Sequence, residues 1–493
     1  MLYDVAVIGG GPSGYAAAMR SVDLGKKTIL FEKNKIGGAG VFDGALSSKT
    51  LWELSTKYLS LQDKNTGFSV GYAELDFNGV WAQMKAATME KNTQLVAQIK
   101  DLEGSGLLTC VYGHAMLASN TEIIANDISY EADKIILATG SRPRILPHIE
   151  VDEQHILTSD GLSNLKEFPK SLVVLGAGVI GCEFATIFSN FGKTDVFLID
   201  KQERILPFED DDISNAVASN FEQRGVTIHH GCGLQRMEIK DGMVEYEIIN
   251  KSGKSEIYTV EKALISVGRV PNIENLGIEN TTVKLSERGH IIDESCATSQ
   301  ENIFAVGDLT ADVALVNVAE LEGRHAIERA YGLNPVPLTY NNISSIMFLN
   351  PEVASVGMNE KYAREHNIPY KLAAINYNCV NRAIAMRCHS GFFKLMVTDD
   401  DDMRILGMRV VGPHASSTIQ AISLLIQLNL GIQSIVETVH AHPSMPEAIQ
   451  ECARMLMGTS IIKPETPWNT AKCYRVDNLG KREDLDRFKL LTS

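Results

Sequence analysis

Short apolar runs that break abruptly at glycine occur twice in this chain in the same way. Tyr3-Asp4-Val5-Ala6-Val7-Ile8 reads as a strand and ends in Gly9-Gly10-Gly11-Pro12-Ser13-Gly14. The Ala-rich apolar segment from Tyr15 to Leu24 then predicts a helix, and Thr28-Ile29-Leu30-Phe31 a second strand that stops at Glu32. The series recurs downstream. Ser171-Leu172-Val173-Val174-Leu175 leads into Gly176-Ala177-Gly178-Val179-Ile180-Gly181, a helix follows, and the strand from Asp195 to Ile199 ends at Asp200. Strands alternating with helices in this order predict an α/β protein with parallel sheets.

Each glycine has a separate task in such a unit. Gly9 supplies the tight turn, Gly11 lets a pyrophosphate approach the backbone, and Gly14 lets helix and strand pack closely. The helix start then offers N–H groups and a partial positive charge to the phosphates. Glu32 is placed to accept bonds from a ribose. Gly176, Gly178, Gly181 and Asp200 repeat the pattern, so two dinucleotides are expected, a flavin and a nicotinamide. Asp200 favours NAD, because a carboxylate there accepts the 2′-hydroxyl and repels a 2′-phosphate. Lys201 and Arg204 stand close by in sequence and keep NADP possible.

Composition narrows the picture. At 493 residues the chain is long enough for about three domains. A net charge of −15 argues against nucleic acid as a partner, since phosphate backbones are held by cationic surfaces. The eight cysteines form no Cys-x-x-Cys pair and no metal-ligand spacing, which predicts reduced thiols and no metal site. No apolar run approaches the roughly 20 residues of a membrane span, and the segment from Ile419 to Ile435 is interrupted by Gln and Asn. A strand beginning almost at the first residue leaves no room for a signal peptide, so a cytoplasmic location is expected.

The segment Gly37-Gly38-Ala39-Gly40-Val41-Phe42-Asp43-Gly44-Ala45-Leu46-Ser47-Ser48-Lys49 closely resembles the redox-active segment of the dihydrolipoamide dehydrogenase and glutathione reductase family. That family carries Gly-Gly-x-Cys, four residues, Cys, x-Pro-Ser-Lys. Gly40 and Ala45 occupy both cysteine positions here, and Ser47 stands where the proline would be. Other motifs follow in family order. Tyr112-Gly113-His114-Ala115 resembles the loop on the adenine side, and Ile136 to Pro143, with Thr139 and Gly140, the strand that closes the first flavin segment. Gly268-Arg269-Val270-Pro271-Asn272 resembles the exit from the nicotinamide domain, and Ile303 to Asp308 the second flavin motif, whose Asp bonds the ribityl chain. Phe348 to Gly357 and Gly412-Pro413-His414-Ala415 resemble the interface domain that builds a homodimer.

The resemblance implies an α/β fold with two Rossmann-like dinucleotide-binding domains, for FAD and NAD, and a C-terminal α/β dimerisation domain. The expected division is a split FAD domain (1–148 and 269–337), a NAD domain (149–268), an interface domain (338–462) and an extension (463–493) that is solvated or packed on the dimer surface. It also implies roles. Lys49 would lie near the flavin N5, paired with Glu183. His442, oriented by Glu447 within His440-Ala441-His442-Pro443-Ser444-Met445-Pro446-Glu447, would reach the partner subunit's flavin site and carry a proton. Gly38 belongs with the small residues facing the flavin.

Without the cysteines there is no thiolate to relay electrons. The expected enzyme therefore passes electrons from NAD(P)H through FAD directly to a small non-disulfide acceptor, a quinone first of all, as in the disulfide-lacking quinone reductases of this family. A soluble pyridine nucleotide transhydrogenase and a flavin-containing scaffold or regulatory subunit that has lost catalysis are the alternatives. Ser47 and Ser48 are also placed to cap a helix over Thr50 to Leu61.

Overall fold

The structure is a computed structural model that describes residues 2–62, 67, 71, 73–462 and 471–485. Its contacts group into two compact units, Met1–Gly176 with Asn190–Val196 and Leu234–Leu338, and Ala177–Ser189 with Phe197–Gly233 and Thr339–Ser493.

The first unit is organised by a parallel sheet. Leu2–Ile8 lies at its centre, pairing with Thr28–Glu32 on one side and Ile128–Leu137 on the other. Leu108–Tyr112 extends one edge and Ile303–Ala305 the other. Thr28–Glu32 is buried along its whole length, as expected of a strand covered on both faces. The chain leaves the central strand toward one side and returns later on the other, so the glycine loop after Ile8 sits at the switch point of the sheet, where α/β folds bind ligands. The helix after the loop runs Pro12–Asp23, three residues earlier than its apolar pattern suggests. Proline at its first position is the reason, since the missing N–H costs nothing there.

Helix Ala45–Leu61 likewise begins before the expected Thr50. This corrects the capping role of the serines. Gly44 is the cap residue, while Ser48 lies inside the helix and its hydroxyl donates back to the Gly44 carbonyl at 2.7 Å. A serine in the first turn can satisfy its hydroxyl on a carbonyl one turn earlier, and that bond replaces the capping geometry.

The second unit contains residues Phe197 to Asp200 of strand Asp195–Asp200, paired in parallel with Thr227–His230 from Phe197 against Thr227. It also contains an antiparallel sheet in the order Ser344–Met347, Val353–Gly357, Ile405–Val411, Phe392–Thr398, Tyr370–Asn376, Lys472–Val476 and Arg482–Asp484. Helix Glu447–Leu456 supplies Ala448, Ile449, Cys452 and Met455 to the core on this sheet. Part of the C-terminal extension therefore belongs to the sheet. Lys472–Val476 pairs with Tyr370–Asn376 and buries Cys473, Tyr474 and Val476. Trp468 and the rest of 463–470 and 486–493 lie outside the described residues.

A buried cation sits in this unit. Lys394, 4% exposed, meets Asp210 at 2.8 Å, Asp212 at 2.9 Å and Glu360 at 2.7 Å. Both Tyr370 and Tyr474 donate hydroxyl bonds of 2.7 Å to Glu360. Arg409 pairs separately with Glu209 at 3.0 Å. Among the described residues no helix is long and apolar enough to cross a membrane.

Candidate functional site

The first glycine loop is built as its sequence requires. Gly9 adopts φ +110°, and a side chain there would run into the Ala138 carbonyl at 2.3 Å. A Cβ on Gly14 would meet the Gly9 carbonyl at 1.8 Å, so strand and helix touch backbone to backbone. At Gly11, by contrast, a Cβ would point into open space. The helix beginning at Pro12 has no side-chain cap, so its first N–H groups remain oriented for an anion. Glu32 closes the loop, accepting from the Gly10 amide at 2.7 Å and the Asn34 amide at 2.7 Å.

The second loop repeats this wiring. Asp200 accepts from the Ala177 amide at 2.8 Å and the Gln202 amide at 2.8 Å, matching Glu32 position for position. Gly176 has φ +103° and abuts the Ser266 carbonyl, while Gly178 again leaves open space. Arg204 is drawn to Asp211 at 2.5 Å, which turns its charge toward a carboxylate. That pairing accords with NAD over NADP, because the nearest arginine in sequence already has an anion. Gly176 and Gly268 fall in the first unit; Gly178, Gly181, Asp200 and Glu183 fall in the second.

Around the first loop the structure gathers residues from distant parts of the chain. Gly37 donates to the Gly10 carbonyl at 2.8 Å. A Cβ on Gly38 would lie 3.2 Å from Gly11 Cα, and one on Gly40 would lie 2.5 Å from Pro12 Cγ. The segment bearing Gly37, Gly38 and Gly40 thus lies against the first glycine fingerprint. Thr139 and Asn272 exchange side chain-to-carbonyl bonds of 2.6 and 2.9 Å, and Gly140, at φ +66°, leaves open space beside them. Ser141 donates to Asp308 Oδ2 at 2.6 Å. Ala115 lies buried in its own strand, next to Gly113 at φ +157°.

In the sequence Ser141, Arg269 and Asn272 stand out only as members of motifs. In the structure Arg269 binds the Ser141 hydroxyl at 2.7 Å and its carbonyl at 2.7 Å, with Asp308 at 3.9 Å. It also lies near Asp43, whose acidity is weakened by desolvation despite opposing attraction from Lys35 and Arg269. The available signal was the arginine itself within the Gly268 to Asn272 motif, since its guanidinium fork suits a two-bond contact of the kind it makes with Ser141.

Lys49 stands on helix Ala45–Leu61 with Nζ 3.3 Å from Ser48 Oγ. Glu183 is buried, at 4% exposure, and accepts from the Phe348 amide at 3.1 Å. His442 Nδ1 lies 2.7 Å from Glu447 Oε1, and Glu447 Oε2 accepts from the Ser444 amide at 2.7 Å. Burial would raise the Glu447 pKa, but the bonds from His442 and Ser444 together outweigh it and hold the carboxyl below its ordinary value. His442 is the exposed member of the pair, at 63%. Each of the eight cysteines is a thiol rather than half of a disulfide. Burial pushes the thiols of Cys182 and Cys296 far up, which makes them poor nucleophiles. Among the described residues no group of three or more His, Cys, Asp or Glu is arranged to hold a metal.

Two glycine loops, each closed by a carboxylate on two backbone amides and each open where a pyrophosphate would enter, define a protein built to hold two dinucleotides on an α/β frame. The matching family models carry this further. Residues 3–323 match the pyridine nucleotide-disulphide oxidoreductase family and residues 343–453 its dimerisation domain. The chain belongs to this family, whose members are FAD- and NAD(P)-dependent oxidoreductases. It is 34% identical to a dihydrolipoyl dehydrogenase of Bacillus subtilis, over 93% of this chain and 99% of that one. It is 35% identical to a dihydrolipoyl dehydrogenase of Chlamydia muridarum, over 94% and 99% respectively. Among solved structures, LpdA from Mycobacterium tuberculosis aligns with a TM-score of 0.83 at 27% identity, covering 92% of this chain and 100% of that one. The cradle around Gly11 and Gly140 and the uncapped helix at Pro12 fit FAD.

Proposed function

We propose that this chain is an FAD-dependent NAD(P)H oxidoreductase, acting as a homodimer in the cytoplasm, that reduces a small non-disulfide acceptor, a quinone above all. The observation that carries the reading is Gly40 and Ala45 at the relay positions, on a segment lying against Gly10, Gly11 and Pro12 of the flavin fingerprint. Bound FAD would supply the two-electron chemistry, taking a hydride from NAD(P)H on one side and reducing the acceptor on the other.

The residues divide the remaining work. Gly40 and Ala45 place no thiol between flavin and acceptor, and Gly38, Gly40 and Gly44 keep the segment pressed close to the loop, where an added Cβ would meet Gly11 Cα at 3.2 Å, Pro12 Cγ at 2.5 Å and the Ala39 carbonyl at 2.4 Å. Lys49 would stabilise negative charge on the reduced flavin. His442, contributed across the homodimer, delivers a proton from Nε2, because Glu447 holds Nδ1. The balance is NAD(P)H, one proton and quinone giving NAD(P)⁺ and quinol.

Anaerobic titration with NADH, followed by addition of a quinone, lipoamide or NADP⁺, tests the proposal. Bleaching of the flavin and its rapid return with quinone alone is the expected outcome. Return with NADP⁺ alone would identify a transhydrogenase, and failure of NADH to bleach the flavin would identify a scaffold.

The double variant Gly40→Cys with Ala45→Cys tests the empty relay directly. It should gain lipoamide-dependent NADH oxidation while losing about 1–3 kcal/mol of stability from overpacking. The loss is expected because the new Cβ at position 40 would fall 2.5 Å from Pro12 Cγ, so ring or loop must shift. A folded double variant with no lipoamide activity would show that these positions do not align with the cysteine pair.

A further inference from the structure

Like Glu320, Glu322 in helix Val316–Ala330 reads in sequence as a surface acid, the second of two in Ala319-Glu320-Leu321-Glu322-Gly323. It is instead 1% exposed. Its Oε2 accepts from the Gly307 amide at 2.7 Å, the residue immediately before Asp308. A carboxylate is costly to bury unless it is well bonded, and a charged acceptor makes the stronger hydrogen bond to a backbone N–H.

The turn it grips is tightly confined. Gly307 adopts φ +70°, and a Cβ there would meet Ser13 Oγ at 2.9 Å and Ala319 Cβ at 3.5 Å. The helix carrying Glu322 presses on the fingerprint helix, where a Cβ on Gly323 would strike the Ser13 carbonyl at 2.1 Å. The Gly307 carbonyl is fixed from the other side by the Thr310 amide at 3.0 Å and hydroxyl at 3.1 Å. Asp308 then follows with one carboxylate oxygen taken by Ser141 at 2.6 Å.

We infer that Glu322 is a positioning residue for the flavin: by fixing the Gly307 peptide it sets the direction in which Asp308 meets the ribityl chain. The inference rests on Asp308 holding that chain. Ser141, backed by Arg269, orients the carboxylate; Glu322 orients the backbone that bears it.

FAD release from the holoprotein, followed by the rise of free-flavin fluorescence on dilution, tests this with a readout independent of turnover. Glu322→Ala should release FAD about tenfold faster or more, as expected for loss of a charge-assisted bond, whereas Glu322→Gln, which keeps an acceptor oxygen, should stay within about threefold. Glu322→Met, closer in volume, carries the same expectation as Glu322→Ala should the latter fail to fold. Combined with Asp308→Asn, the Glu322 variant should add little further effect, because both act on one contact. Release at the wild-type rate from folded Glu322→Ala or Glu322→Met protein, or full additivity with Asp308→Asn, overturns the inference. If Asp308→Asn alone leaves FAD release unchanged, the assignment of Asp308 fails, and the role of Glu322 through it fails with it.

Discussion

Replacing His442 with Gln should slow reduction of the acceptor by about 10²–10⁴-fold while leaving the anaerobic bleaching of the flavin by NADH nearly unchanged. The split follows from the geometry. Glu447 Oε1 holds Nδ1 at 2.7 Å, so the other ring nitrogen is the one presented for proton transfer. A proton is needed only when the acceptor is reduced, and the hydride half of the reaction draws on other residues. The two steps are separable by stopped-flow absorbance, and an equal loss in both would mean that His442 acts on the fold or the dimer instead. Glu447→Gln should give a smaller loss of about tenfold, since an amide still bonds the imidazole but with a neutral acceptor in place of a charged one. Its acid dependence has a definite sign. The Glu447 pKa is depressed in the folded protein, so what it contributes is present at neutral pH and fades as pH falls through that depressed value.

Much of the flavin half was legible in the sequence because its determinants are local. Gly9, Gly11 and Gly14 each answer to a constraint set within a few residues or by the adjoining strand, and Glu32 bonds the loop that its own strand adjoins. The second fingerprint was legible for the same reason, down to the equivalence of Asp200 and Glu32. What the sequence concealed depends on distant partners. Lys472–Val476 is short, and its pairing strand lies about a hundred residues earlier, so nothing near it marks it as part of a sheet. Ser48 looked like a cap because helix starts are read from the residues before an apolar run, and here Gly44 took that position. Arg269 and Glu322 look like ordinary charges until the fold brings Ser141 and Gly307 to them.

Lys394→Met should cost about 3–5 kcal/mol at neutral pH, the largest stability loss expected of a single substitution here. In sequence Lys394 is the one charge in the otherwise apolar strand Phe392–Thr398; in the structure it is buried against three carboxylates. Methionine matches its volume, so the cost is electrostatic, with Asp210, Asp212 and Glu360 left facing one another. Burial alone would raise the acids of Asp210 and Glu360, and in the native protein attraction to Lys394 overcomes it, so both are depressed. Lys394 itself is desolvated, yet its three acidic partners hold its pKa above the ordinary value. The sign of the pH dependence then reverses between the two proteins. In the wild type the depressed carboxylates contribute stability at neutral pH that is lost as pH falls through their folded values, while the Lys394 share persists until strongly alkaline pH. Without the lysine, burial and mutual repulsion raise Asp210 and Glu360 instead, and acid relieves the variant by protonating them. The deficit measured by denaturant unfolding should therefore be greatest near about pH 7 and shrink toward about pH 5. A deficit that stays constant over that range would place the cost in packing rather than in the three carboxylates deprived of their lysine. Because Tyr474 bonds the same Glu360 at 2.7 Å, the variant should also loosen the C-terminal strand, seen as faster amide exchange across Lys472–Val476 than across Phe392–Thr398.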